Sequence, residues 1–321
     1  MSIAGPIPRR SQRSAQHEAT PMTANPSASV LARLLDLAKR RGDNYNLLLN
    51  RFALERLLHR LSVSGHANSF VLKGALLFSL WYDQPHRPTR DADLLAFGPD
   101  DAGHLVATFR DIAVIDLHDG IVFDLDFIRA EPIREDNAYG GTRVRLIGRI
   151  GSARCALQID VGFGDAVTPD APSVVYPALL PDWGSPTMRV YPVYTVIAEK
   201  YHALVVLGLA NSRMKDFYDL MTITGRTELD GATLARAVTA TFARRKTALP
   251  VQPPLALRKE FGVNVAKQFQ WQAFLHKNRV AAPSLAEVVD RLYMLLWPAT
   301  QVALANSGAT ARWSPEHLNW M

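Results

Sequence analysis

Arg90-Asp91-Ala92-Asp93-Leu94, one predicted helix downstream of Phe70-Val71-Leu72-Lys73-Gly74, decides how this chain is read. Two acids separated by one small residue inside an apolar run predict a strand, because side chains alternate across a strand with period two. Asp91 and Asp93 then share a face, while Ala92 and Leu94 point into the core. Neighbouring carboxylates repel unless a cation or a shared proton joins them. Magnesium is the usual cation where one or two carboxylates meet a phosphate-bearing substrate. The pair therefore points to metal-dependent phosphate chemistry, specifically nucleotidyl transfer. The bland alternative is an exposed strand face neutralised by Arg87 and Arg90.

What precedes and follows the pair favours the chemical reading. Gly74 is predicted to open a helix over 74–81, and such an opening offers free N–H groups and a positive dipole end to phosphates. Lys73 or Arg90, together with Lys200, would balance a triphosphate. The strand over 156–161 carries Asp160 just before Gly162-Phe163-Gly164-Asp165, where it would act as metal ligand or as base toward an attacking hydroxyl, completing a two-metal site. Asp124-Leu125-Asp126 is its rival, and Asp165 reads as a turn residue. Lys200 follows Glu199 among Ala198, Tyr201 and Ala203, a setting that suits a point charge against phosphate. Lys215, Asp216 and Asp219 open the next helix. Asp216 and Asp219 share a face, and Lys215 with Asp219 reads equally as a surface ion pair.

Around these segments, helices are predicted over 29–41, 44–61 and 102–112, and strands over 69–72, 90–97 and 122–128. A hairpin is predicted from 142–150 and 153–161 across Gly151-Ser152. The Pro-rich stretch 169–192 reads as an irregular loop, and helices are predicted over 193–208, 215–224, 232–244, 263–277 and 284–296. The expectation is an α+β fold: a mixed sheet with flanking helices, then a helical C-terminal domain. The expected division is a disordered basic tail over 1–28, a catalytic domain over 29–192 and the helical domain over 193–321.

The apolar share of 48% and charged share of 21% are ordinary for a globular chain. The single Cys155 excludes a disulfide framework and fits a reducing cytoplasm. No apolar run is read as approaching the ~20 residues of a membrane span, and no apolar stretch follows Arg9-Arg10, so neither a membrane nor a signal segment is expected. The net charge of +6 is uneven: residues 226–321 hold 12 basic against 6 acidic residues, whereas 31–225 hold 21 against 23. An acid-bearing centre beside a basic end suits a polyanionic substrate. The histidines lack zinc-ligand spacing, and neither a Walker A loop nor a Gly-x-Ser-x-Gly elbow is present. Phe269, Trp271 and Phe274, interleaved with amides, suit either RNA stacking or the core of a helical bundle.

In order, Phe70-Val71-Leu72-Lys73-Gly74, Arg87 through Leu95, Ile159 through Asp165, Ala198-Glu199-Lys200 and Arg213 through Leu220 resemble the AbiEii/AbiGii toxin family. These are nucleotidyltransferases of the DNA polymerase β superfamily, found in bacterial toxin–antitoxin and phage-defence pairs. The resemblance runs from about residue 45 to residue 298 and includes Gln270 through Phe274. It implies a polymerase β-like core, Mg2+ held by Asp91 and Asp93, a nucleotide-cradling turn at Gly74, and Lys200 on the phosphates. It also implies a helical catalytic acid at Asp216 or Asp219, with Lys215 in the nucleotide site. An NTP would donate NMP to an RNA acceptor, expected at the 3′ end of tRNA, blocking translation, and a cognate antitoxin protein is the implied partner. Thr89 corresponds to a hydroxyl that is phosphorylated in some relatives. Ala75 stands where the superfamily has Ser or Gly, and Ala92 stands where Ile is commoner. Transfer to a small-molecule or protein hydroxyl, and a catalytically silent binding partner, are the alternatives.

Overall fold

A computed structural model describes residues 25–82, 87, 89, 91–133, 140–306 and 311–321. Helices α1 (Pro26–Arg41) and α2 (Tyr45–Val63) lead to strand β1 (Phe70–Lys73), short helix α3 (Leu77–Trp81), strand β2 (Asp91–Ala96), helix α4 (Ala102–Ala113), and the long strands β3 (Val122–Pro132), β4 (Gly141–Ile150) and β5 (Ala153–Phe163). Short strands β6 (Ser173–Val175) and β7 (Thr187–Arg189) precede helices α5 (Val193–Leu207) and α6 (Met214–Thr224), strand β8 (Leu229–Asp230) and helix α7 (Gly231–Arg244). Helices α8 (Lys259–Gly262), α9 (Val265–Asn278) and α10 (Leu285–Ala305) then precede strands β9 (Arg312–Ser314) and β10 (Asn319–Trp320).

The main sheet has the order β1-β2-β5-β4-β3. β2 runs antiparallel to β1 and parallel to β5, and the β5–β4–β3 meander is antiparallel, so the sheet is mixed. Alternation sets its two faces. In β5, Cys155, Leu157, Ile159 and Val161 are buried, whereas Arg154, Ala156, Gln158 and Asp160 face outward. Helices α1, α2 and α4 pack on the sheet, and α10 is the spine of the C-terminal helices, touching α6, α7, α8 and α9. One large hydrophobic cluster runs from Val30 through both halves to Trp313. Buried charges tie α2 to its surroundings: Arg60 clasps Asp119 at 2.7 and 2.9 Å, and Arg56 donates to the carbonyls of Trp183 and Gly184. Glu55 beside them accepts from the Leu179 N–H at 2.9 Å, and burial pushes its carboxyl up to about 7.

Several expectations are corrected. The helix expected over 74–81 is present but opens as a 3-10 turn, Gly74–Leu76, and the α3 that follows is only five residues long, so little macrodipole is available. The stretch 169–192 contains the β6–β7 hairpin, and Val190 bridges to Leu72. The C-terminal half is not wholly helical, because β8, β9 and β10 form a small sheet. Helix α1 begins at Pro26, inside the expected tail, because the Asn25 side chain caps Ala28 N–H and Pro26 suits the first helical turn; residues 1–24 lie outside the described ones. The aromatic trio is split: Trp271 is fully buried and Phe274 packs on the core, but Phe269 is 75% exposed. By length and composition, residues 193–210 are apolar enough to cross a membrane, contrary to the sequence count; in the fold, Val196, Ile197, Ala198, Tyr201 and Leu204 are core residues.

Candidate active site

Register alone brings the leading acids together. Asp93 pairs with Lys73 across β1–β2 and with Asp160 across β2–β5, so the three share one face of the sheet. Asp91 lies one pleat earlier on that face, opposite Gln158. Asp124 and Asp126 lie on β3, three strands from β2, and Asp124 pairs with Arg149 at 3.1 Å. Asp160 is held by Arg143 of the neighbouring strand through two 2.8 Å hydrogen bonds.

A cleft of about 440 Å³ opens over this face. Its wall includes Lys73, Gly74, Asp93 and Asp160 from the sheet side and Lys200, Lys215 and Asp216 from the helices. Asp91 and Asp219 are not part of that wall, and Arg90 lies outside the described residues. Thr89 precedes β2, with its hydroxyl donating to the Asp91 carbonyl at 3.3 Å.

Gly74 is required on two counts. Its φ of +75° is the left-handed region, and a β-carbon there would collide with the Asp93 carboxylate. Gly74→Ala is therefore expected to displace Asp93, lowering activity by about a hundredfold or more and stability by about 1–3 kcal/mol. Unchanged turnover and melting temperature would refute this coupling between turn and acid.

On the helical side, Lys200 reaches from α5 to Asp216 and Asp219 of α6, at 2.7 Å each. Asp219 is also clasped by Arg87 at 2.9 and 3.1 Å, and Arg213 lies 2.9 Å from Asp216. Burial opposes the Lys200 charge, but the two carboxylates outweigh it and keep the ammonium protonated. In turn, burial would raise Asp216, and Lys200 outweighs it. The surface pair between Lys215 and Asp219 is thus corrected: Asp219 is buried against Lys200 and Arg87, while Lys215 is exposed on the cleft wall. Arg87 forms its ion pair with Asp219.

Sequence reasoning missed the floor of the cleft. Asp165, read as a turn residue, receives Lys73 at 2.7 Å, the Tyr191 hydroxyl at 3.2 Å and Arg245 at 3.3 Å. Burial would raise its carboxyl, but Lys73 and Arg245 hold it down to about 2. Glu199 accepts from the same Tyr191 hydroxyl at 3.3 Å, and burial raises its carboxyl. The only sequence signals were Glu199 inside an apolar helix and the Gly162-Phe163-Gly164 frame around Asp165. A β-carbon at Gly162 would come within 2.9 Å of the Lys73 ammonium.

His202, also on the cleft wall, has Nδ1 at 3.3 Å from Arg245 and Nε2 at 2.9 Å from the Thr247 hydroxyl. Arginine only donates, so Nδ1 accepts and the proton sits on Nε2. Burial, reinforced by Arg245, lowers this imidazole to about 4. Since the folded value lies below the unfolded one, the unfolded chain binds more protons and stability falls as pH drops from about 6.5 to about 4. His202→Gln should remove up to about 3 kcal/mol of that acid sensitivity. Parallel loss of stability in both proteins between pH 7 and pH 4.5 would exclude the assignment.

The donor set was also tested against the expected metal. Asp91, Asp93 and Asp160 offer only oxygen, which suits a hard cation, and burial raises the Asp93 carboxyl despite Lys73 and Lys215 nearby. Among the described residues, however, no group of three or more His, Cys, Asp and Glu side chains is arranged to hold a metal, and both Asp160 oxygens are engaged by Arg143. The residues fit a cation held by the strand pair and completed by substrate oxygens; a two-metal cage is not preformed.

Comparison with known proteins agrees with this chemistry. The family described as nucleotidyl transferase AbiEii toxin, type IV toxin–antitoxin system, matches residues 56–305. Among solved structures, JHP933 from Helicobacter pylori is similar at 13% identity and a TM-score of 0.46, covering 82% of this chain and 95% of its own. A second H. pylori structure carrying a nucleotidyltransferase name has 12% identity and a TM-score of 0.42, covering 83% and 100%. Both likenesses are too distant to carry function. Among curated proteins no match was found.

Proposed function

Because this chain belongs to the AbiEii family of nucleotidyltransferase toxins, we propose that its cleft transfers NMP from an NTP to an RNA hydroxyl, with the 3′ end of tRNA as the acceptor and Mg2+ as the cofactor. The observation that carries the proposal is the joining in one cleft of Asp93 and Asp160, in register, with the cations Lys73, Lys200 and Lys215. A triphosphate needs such a cationic enclosure, and an attacking hydroxyl needs an acidic wall beside it.

In the proposed reaction the RNA hydroxyl oxygen forms a bond to the α-phosphorus. The α–β bridging bond breaks, pyrophosphate leaves, and the hydroxyl proton passes to a carboxylate of the acid wall. Asp91 and Asp93 would hold the cation, which when bound supplies charge neutralisation on the phosphoryl oxygens and acidifies the attacking hydroxyl. Asp160 would join them only after releasing Arg143. Lys200 and Lys215 would face the phosphates, Lys200 carrying its charge on the Asp216/Asp219 grip. Lys73, fixed by Asp165, would keep its ammonium beside Asp93. The 3-10 turn at Gly74 would present backbone N–H groups without a long helix behind them.

Transfer to a small-molecule or protein hydroxyl keeps the same acids but needs no polyanion surface. The test is incubation with total RNA, magnesium and each labelled NTP in turn. Label in a discrete RNA band supports the proposal; label only in small molecules or protein moves the acceptor to that class. The toxin–antitoxin family implies a partner antitoxin, and activity inside the cell is proposed for the cytoplasm.

A further inference from the structure

We propose that the outer face of α9 is a docking platform for the body of an RNA whose 3′ end enters the cleft. The proposal rests on the RNA acceptor advanced above. Helix α9 has two unlike sides. Trp271 and Leu275 are buried, but Val265 and Phe269 are 80% and 75% exposed, and Gln272, Ala273 and His276 continue their stripe, all exposed. A phenylalanine displayed this fully contributes nothing to the core that Trp271 already fills.

Along α9 and its flanks in the chain the charge is mostly basic. Residues 261–286 contain no acid at all. Exposed Arg258 and Lys259 stand just before the helix and exposed Lys277 and Arg279 at its end, with Glu260 as the lone exposed acid among them. An aromatic ring amid amides, with cations at both ends and Glu260 as the one acid between them, suits bases that stack and phosphates that pair. A protein partner would find the apolar centre attractive but would need its own acids to meet both cationic ends.

The inner side of α9 is packed against the helix that lines the cleft. From the inner side of α9, Lys267 donates to the Asn211 carbonyl at 2.9 Å. Asn211 begins the segment that places Arg213 and Lys215 on the cleft wall. Tyr218 of α6 packs against both Trp271 and Phe274. Helix α6 therefore sits between the cleft and the displayed ring as part of one packed unit.

The test uses the full chain, with Phe269→Ala and, separately, Lys277→Glu combined with Arg279→Glu. All three side chains are exposed, and an unchanged melting temperature checks the fold. Binding of bulk tRNA is measured across a salt series, alongside labelled NMP incorporation and calorimetric NTP binding. Phe269→Ala should raise both Kd and KM for RNA about tenfold at unchanged kcat and unchanged NTP binding. The charge reversal should reduce the salt slope of RNA binding by about 2. Labelling of RNA with wild-type Kd and KM in every variant overturns the platform and leaves the acceptor standing. RNA binding that depends on α9, without labelling of any RNA, supports the platform and sinks the acceptor. A stable protein complex lost on Phe269→Ala, with RNA affinity unaltered, overturns the platform in favour of protein docking.

Discussion

Asp93→Asn is expected to lower nucleotide transfer on the order of a thousandfold or more while leaving the protein folded. The substitution keeps the volume of the side chain but removes the charge that, in the proposed reaction, would hold the cation beside the triphosphate. Loss of groups that merely support metal ligands already costs about 10- to 100-fold, so loss of a ligand should cost more. The fold should survive because the partner left behind is provided for: Lys73 keeps its 2.7 Å bond to Asp165. The amide also relieves the site of an ionised carboxylate where burial disfavours one. Asp124→Asn is the matched control. It breaks an ion pair with Arg149 toward the far edge of the sheet, worth about 0–1 kcal/mol, and should leave transfer within about twofold of wild type. Equal activity of Asp93→Asn and wild type would remove the strand pair from the mechanism; a large loss in Asp124→Asn would revive its rival.

Lys200→Met should be damaging in a different way, to stability and turnover together. The ammonium is the shared partner of two buried carboxylates, and removing one member of a buried ion pair typically costs about 3–5 kcal/mol. Here Arg87 remains on Asp219 and Arg213 remains near Asp216, so the lower end, about 3 kcal/mol, is expected. That corresponds to a fall in Tm of about 4–5 °C. Adding Asp216→Asn to Lys200→Met removes one of the stranded charges and should recover part of the stability. It should recover none of the transfer, because the cation facing the phosphates is still missing. A double variant that regains activity along with Tm would show that Lys200 is structural only.

These two residues also mark where the sequence could be read and where it could not. Asp93 was legible because a strand's alternation is local, and Asp91-Ala92-Asp93-Leu94 announces its own face. The same locality made the β4–β5 hairpin readable, down to its Gly151-Ser152 turn. Lys200 was legible only as an odd lysine among apolar neighbours; its grip by Asp216 and Asp219 depends on how α5 meets α6. Asp165, Glu199 and Arg245 were lost for that reason, since their contacts span up to 92 positions of chain. The helix expected from Gly74 forms, but composition did not announce that its first turn is 3-10, which goes with a Lys73-Gly74 turn tight enough to admit Asp93. Strands β6 to β10 are two or three residues long, too short for any period to register.

The closure of α6 has a consequence for how the enzyme is made. Trp313, fully buried, donates its indole N–H to the Thr224 carbonyl at the end of α6, and its strand completes the small sheet with β8. The helix that grips Lys200 is therefore finished by a residue 89 positions further along the chain. On the ribosome the acid-bearing strands emerge first, and the indole that caps the end of α6 emerges only later. A nascent copy halted before that tryptophan carries the strand acids and α6 but lacks the indole that closes the end of that helix, so the last turn of α6 is finished late in translation.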